Sequence, residues 1–235
     1  MIAVIVPAHN EAQRIGRCLA SVQRAARHPS LAGETVMIIV VADDCSDATE
    51  TIAREAGAVT ICMSVRDASV ARTAGADMAV WAGARWLAFV NAHAVVAEDW
   101  LAAQLAEQAD VVCGRTVLHD AAATATATAA TAATAIAATA AKPSAGGGIR
   151  VHAGNFGVRT ATYCKSAGFA SCVDDDDLAL GRALAATGAL IVRCDVVSAT
   201  AAGLGAYRTR VDRSANDGFA GSPPQAQAQA QARAA

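Results

Sequence analysis

Short apolar runs rich in β-branched residues alternate with helical patterns from residue 2 to residue 92, and few folds satisfy that alternation. "IAVIVPA" (2–8), "TVMIIVVA" (35–42), "AVTICMS" (58–64) and "RWLAFVNA" (85–92) read as strands. Between the first two, "NEAQRIGRCLASVQRAA" (10–26) puts Ile15, Cys18, Leu19 and Val22 at helical spacing, with Asn10 as its N-cap and Glu11 in its first turn. "SDATETIAREAG" (46–57) opens on the capping residues Ser46 or Asp47 and ends at Gly57, and "ASVARTAGADMAVWAG" (68–83) is a third helix. Strands this continuously apolar are buried on both faces. In a chain that alternates β and α elements, that means a mostly parallel sheet flanked by helices. The fold class is α/β, and 235 residues suit one such domain with a small appendage.

Composition removes several function classes. A net charge of -2 supplies no long-range attraction for polyanions, so nucleic acid is not an expected partner. The 7 cysteines are scattered with no C-x-x-C pair, which reads as reduced thiols in a cytoplasmic protein and not as a disulfide or zinc framework. The opening "MIAVIVPAHNEA" lacks a basic leader and reads as a strand, not a signal peptide. "AAATATATAATAATAIAATAA" (121–141) lacks the Leu, Ile, Phe and Val that drive membrane insertion, so no transmembrane segment is expected. It reads, with the residues to 148, as a low-complexity Ala/Thr/Gly connection. Residues 206–235 form a C-terminal extension, whose tail "SPPQAQAQAQARAA" (222–235) has no apolar face to bury and is expected to be disordered.

Ligands of open α/β sheets bind beyond the carboxyl ends of the strands. The polar residues there are His9-Asn10-Glu11, Asp43-Asp44, Arg66-Asp67 and Asn91-Ala92-His93. Each alone has an ordinary explanation: Asn10 and Asp47 cap helices, and Asp43-Asp44 makes a turn. Convergence of four strand ends on one edge points instead to a site.

These residues carry a resemblance. "VIVPAHNEAQRIGRCLASV", "IIVVADDCSDATETIAREAG", "ARTAGADMAV…RWLAFVNAHAVVAEDWL" and "HAGNFGVRTATYCKSAGF…DDDDLALGRALAATG" follow in order the pattern of a family 2 glycosyltransferase of the GT-A fold. The match runs from residue 2 to about 200 and sets the domain at 1–205. It also resembles a bacterial subgroup with a Ser-Ala-Arg turn after the last strand, read here as Ser198-Ala199-Thr200.

The resemblance implies an inverting transfer of a sugar from a nucleotide-diphosphate donor to an acceptor hydroxyl. It implies that Pro7, His9, Asn10 and Glu11 lie along the nucleoside, on a helix start that favours anionic groups. Asp43 would accept a hydrogen bond from the base, Asp44 would lie on the ribose side, and Arg72 would approach the nucleotide. Where the family has Asp-x-Asp, this chain has Asn91-Ala92-His93. The amide of Asn91 can bond a ribose hydroxyl, and His93 can ligate Mn²⁺ but suits Mg²⁺ poorly. Three readings of that change stand open: Mn²⁺ held through His93, metal-free work by helix termini and a cationic side chain, or loss of catalysis.

In "VDDDDLALGRALAATG" (173–188), the family offsets to Leu180-Gly181, Leu184 and Gly188 put Asp176 and Asp177 at its Glu-Asp pair, with Asp177 the general base. Asp174 and Asp175 read as helix-head acids favoured by the dipole. "HAGNFGVRTATYC" (152–164) resembles the acceptor-side strand, where His152 and Asn155 would face donor sugar or acceptor. Arg208, Arg210 and Arg213 stand as a candidate lid over the diphosphate. A silent sugar-nucleotide-binding or scaffold protein is the alternative favoured by Asn91-Ala92-His93. A nucleotidyltransferase is disfavoured, because no Gly-rich phosphate loop with a basic residue follows the first strand.

Overall fold

β1 (Ile2–Ala8) is buried along its whole length, because strands flank it on both sides and helices cover both of its faces. The computed structural model describes residues 1–119, 151–169 and 176–202. The low-complexity connection, the C-terminal extension with its arginines, and Asp174 and Asp175 lie outside the described residues.

β1 is followed by α1 (Ile15–Ala26), β2 (Val36–Asp43), α2 (Thr49–Glu55), β3 (Val59–Met63), α3 (Ala68–Trp81) and β4 (Trp86–Val90). Next come β5 (Ala94–Val96), α4 (Trp100–Ala106), β6 (Val111–His119), β7 (Asn155–Arg159), α5 (Thr160–Lys165), α6 (Asp176–Ala186) and β8 (Ile191–Ala202). One 8-stranded sheet has the order β3-β2-β1-β4-β7-β6-β8-β5. β3, β2, β1 and β4 run parallel, as the apolar runs imply. β7 then enters antiparallel between β4 and β6, while β8 pairs parallel with β6 and antiparallel with β5. The result is a mostly parallel mixed sheet flanked by helices, as the alternating pattern implies.

The period-2 geometry of a strand divides the core in two. Ile2, Val4 and Val6 join Ile15, Leu19 and Val22 of α1 and Trp100 and Leu101 of α4 on one face. Ala3 and Ile5 join Ala71, Ala76 and Ala79 of α3 and Leu180 and Leu184 of α6 on the other. Phe89 stacks on Phe156 at 4.6 Å, and Phe169 meets Phe89 edge-on at 5.3 Å. Phe89, Phe156, Tyr163 and Phe169 thus cluster on one face, while Trp86 and Trp100 fill the other. Small residues do the rest, by letting α3 sit close to the sheet.

One expected boundary is corrected. α1 starts at Ile15, not at Asn10, and Arg14 stands at its N-cap position. Asn10 instead takes a left-handed backbone, φ 51, and its Oδ1 accepts from the amide of Ser46 at 2.8 Å. The residue fit for capping is spent on tying the end of β1 to the segment after β2.

Gly75 shows how tight the α3 contact is: a Cβ there would lie 2.6 Å from Ile5 Cγ2 and 3.2 Å from Val41 Cγ2. Gly75→Ala is expected to cost about 1–3 kcal/mol by overpacking. Gly16→Ala meets only Ile52 Cγ2, at 3.7 Å, and should gain up to about 1 kcal/mol of helix propensity. Urea midpoints of the two variants check the contrast. A neutral Gly75→Ala would mean that α3 is not seated on β1 and β2.

Candidate functional site

The last residue of β2, Asp43, is fully buried and accepts hydrogen bonds on both carboxylate oxygens. Oδ1 takes the amides of Val65 at 2.7 Å and Arg66 at 3.0 Å, and Oδ2 takes the amide of Asp67 at 2.9 Å. A carboxylate taken out of water is expensive unless donors surround it, and these backbone donors supply that compensation. They also hold Arg66 at φ 58, a left-handed backbone that a long side chain rarely adopts. Asp67 then caps α3, accepting from the amides of Ser69 at 2.8 Å and Val70 at 3.2 Å. Asp43 thus fixes the β3–α3 loop. The carboxylate that the resemblance assigns to the base is buried here and held by these loop amides.

Asp44 faces outward beside it. It is left-handed as well, φ 52, and pairs with Arg66 Nε at 2.8 Å on a largely exposed surface. His9 Nδ1 donates to the carbonyl of Asp43 at 2.7 Å, which leaves Nε2 as the ring's acceptor, facing the Asn10 amide at 3.4 Å. Asp47 accepts from the amides of Ala12 at 2.9 Å and Thr49 at 3.0 Å. Left-handed residues therefore follow each of β1, β2 and β3, and backbone strain of this kind gathers at functional edges. Beside the ends of β2 and β3 lies a cleft of about 290 Å³ lined in part by Asp44, Cys45, Glu50, Cys62 and Met63.

β1 and β4 part towards their carboxyl ends. The two strands pair only from Ile2–Trp86 to Ile5–Phe89, whereas β1 and β2 stay paired to Ala8. Pro7 sits beyond the last β4 contact, where a missing N–H breaks no ladder; it is buried in β1 and shapes the strand end. Since the strand order reverses direction at β1, this gap is the sheet's topological switch point.

Glu11, Arg14, Arg72, Asn91 and His93 meet in that gap. Glu11 is 2% exposed, with Oε2 on Arg14 Nε at 2.9 Å and Oε1 3.8 Å from His93 Nδ1. Arg72 Nη2 donates to Asn91 Oδ1 at 3.1 Å, and the guanidinium stands 5.7 Å over the Phe169 ring. Asn91 is wedged from the other side, since a Cβ on Gly154 would lie 2.2 Å from its Nδ2. Its carbonyl accepts from Cys18 Sγ at 3.5 Å, and burial pushes that thiol up to about 12, so it stays protonated. Burial, with the charges of Arg14, Arg72 and His152, pushes the His93 imidazole down to about 4. At neutral pH His93 is uncharged, and the field around it is cationic.

The donors at this strand end fit a hard divalent cation poorly. Asn91 and His93 bring no negative charge, and Glu11, the carboxylate beside them among the described residues, is paired with Arg14. Among the described residues no group of three or more His, Cys, Asp or Glu side chains is arranged to hold a metal.

The remaining candidates separate. Asn155 is fully buried, accepts from Trp100 Nε1 at 2.8 Å and donates to the carbonyl of Arg115 at 2.9 Å. Asn155, expected from the sequence to face donor sugar or acceptor, braces α4, β6 and β7 against one another. His152 is exposed, next to Gly154. Asp176 and Asp177 form the first turn of α6, a helix that packs on the same face of the sheet as α3. Arg14 and Phe169 were not singled out from the sequence. Arg14 had a signal in its i,i+3 spacing from Glu11; Phe169 had none, because its partners are distant in the chain.

The family model "Glycosyl transferase family 2" matches residues 3–164. No curated protein matches the chain. Among solved structures, S. aureus TarS 1-349 in complex with UDP-GlcNAc is similar with TM-score 0.60 at 15% identity, over 88% of this chain and 60% of that one. The mannosyltransferase PcManGT from Pyrobaculum calidifontis, in complex with GDP-Man and Mn²⁺, is similar with TM-score 0.62 at 15% identity, over 95% of this chain and 65% of that one. At such identities the likeness speaks for the fold. The chain spans about 60% of the TarS fragment's length. Among the described residues no helix is long and apolar enough to cross a membrane.

Asp43→Asn removes the charge from three amide contacts and is expected to cost about 1.5–3 kcal/mol. Asp44→Asn, at an exposed ion pair, should cost less than about 1 kcal/mol. Urea unfolding measures both, and faster hydrogen exchange at the amides of residues 65–67 in Asp43→Asn localises the loss. Equal costs for the two variants would contradict the assignment.

Proposed function

The chain belongs to glycosyl transferase family 2, and from that premise we propose that it transfers a sugar from a nucleoside-diphosphate donor to an acceptor hydroxyl, inverting the anomeric carbon. The observation that supports this most is the convergence at one sheet edge of a cleft and a cluster of cationic side chains. The cleft, of about 290 Å³, lies at the ends of β2 and β3; the cluster lies at the switch point between β1 and β4.

The base lies in the cleft, with Asp44 and the loop held by Asp43 as its walls. His9, Asn10 and Glu11 line the path from base to diphosphate, and Asn91 offers its amide to the ribose. Cationic side chains and a low local dielectric then stabilise the charge that develops on the leaving diphosphate. Asp177, at the head of α6, takes the acceptor's hydroxyl proton. The hydroxyl oxygen forms its bond to the anomeric carbon from the face opposite the diphosphate, and the bond from that carbon to the phosphate oxygen breaks with its electron pair leaving on the diphosphate. Asp176 beside it helps hold Asp177 in the helix's first turn.

The alternative, a binding protein without turnover, draws on the same Asn91-Ala92-His93 sequence. A panel of nucleoside-diphosphate sugars and hydroxyl acceptors, read by released nucleoside diphosphate, separates the two. Asp177→Asn keeps shape and hydrogen bonding but cannot accept a proton, so turnover should fall by about 10²–10⁴-fold with donor affinity nearly constant. Donor binding without turnover in the parent chain would favour the silent binder, and an unchanged rate in Asp177→Asn would remove it as the base.

A further inference from the structure

We propose that this chain forms a two-fold dimer in which β3 pairs edge to edge with β3 of a second copy and the two α2 helices lie side by side above the joint. The proposal goes beyond the transferase reading and concerns the outer edge of the sheet.

Three observations carry it. The first is an edge strand without protection. Among the described residues β3 pairs only with β2 and ends the sheet, so one row of its N–H and C=O groups has no strand beside it. Such edges are commonly blunted by charge, proline, a bulge or short length. β3 reads "VTICM" (59–63), with neither charge nor proline, and its register with β2 is unbroken from Val59 to Met63. β5, at the other end of the sheet, is 3 residues long and largely buried.

The second is the apolar surface on that strand. Val59, Ile61 and Met63 share the face of the sheet that carries α3. The helix rests on β1 and β2, where Gly75 meets Ile5 and Val41, and the three side chains stay partly uncovered, with Val59 40% exposed. A two-fold axis perpendicular to the sheet runs the two copies of β3 antiparallel. Val59 of each copy then lies towards Met63 of the other, and cross-strand apolar pairs of this kind stabilise a sheet.

The third is charge complementarity about the same axis. On the other face, α2 turns Glu50 and Arg54 towards the edge strand. Arg54 Nη2 lies 4.0 Å from Cys62 Sγ, and Glu50 lines the cleft together with Cys62. Within one copy the two side chains pair at 2.5 Å, and both reach solvent. An isologous interface has to be self-complementary. The axis sets the two α2 helices antiparallel, so Glu50 of each copy faces Arg54 of the other and four charges alternate across the joint.

Sedimentation velocity of the full chain from about 1 to 200 µM tests this, the range suited to an interface this small. The parent should show a monomer–dimer equilibrium. Val59→Lys puts a charge on the joint at an already exposed position and should weaken the dimer at least about tenfold, with circular dichroism unchanged. Glu50→Arg and Arg54→Glu should each weaken it by about three- to tenfold. An equal mixture of those two variants should recover the parental affinity within about threefold, because the mixed dimer again sets opposite charges face to face. A monomer at every concentration overturns the proposal. So does a dimer indifferent to Val59→Lys, which must use another face. Loss in both charge variants without recovery on mixing also overturns it, since that marks a structural role for the pair within one chain.

Discussion

The buried Asp43 carboxylate is the constraint on which the edge of the sheet depends. Its three amide partners belong to a loop 22 to 24 residues further along the chain. Without an acceptor there, these part-buried amides would lose a charged partner, worth about 1.5–3 kcal/mol. With it, Arg66 is held left-handed, Asp67 is set to cap α3, and α3 leaves the sheet edge in a fixed direction. Arg72 lies on the second turn of that helix. The position of the guanidinium at the β4 end is thus decided, through several links, by one carboxylate at the end of β2.

The gap that receives the guanidinium has an equally simple origin. β1 and β4 part after Ile5 and Phe89, and Glu11 after β1 lies near His93 after β4 there, while His9 and Asn10 turn to the β2 side. The Asn91 side chain is held on two sides, with Oδ1 accepting from Arg72 and Nδ2 against the close backbone of Gly154, while its backbone carbonyl accepts from Cys18 Sγ. The fold makes an edge with a cleft beside the ends of β2 and β3, and the identity of residues 91 and 93 sets the charge beside Arg72.

The parallel half of the fold was legible because it is written in local periodicity. Continuous apolar runs gave the four parallel strands, and the burial of β1 on both faces follows from the same pattern. The polar residues at the strand ends were legible too, because topology brings every such end to one edge. What could not be read was what each side chain touches. Asn10, Asp43 and Asn155 are all types that bind ligands, cap helices or brace backbone, and the choice is made by partners far away in sequence. Asn155 bonds Arg115 and Trp100, and Asn10 bonds Ser46. The antiparallel entry of β7 beside β4 escaped for the same reason, since strand pairing across a long insertion leaves no periodic trace.

The central claim is that the carboxyl edge of β1 to β4 is a nucleoside-diphosphate site. Amide chemical-shift mapping of the full chain during titration with UDP or GDP tests it most directly. The account predicts the largest shifts at residues 8–12, 43–46, 64–67 and 91–93, appearing together at one affinity. Shifts confined to the opposite edge, around residues 34–36, 84–86 and 107–110, would contradict it.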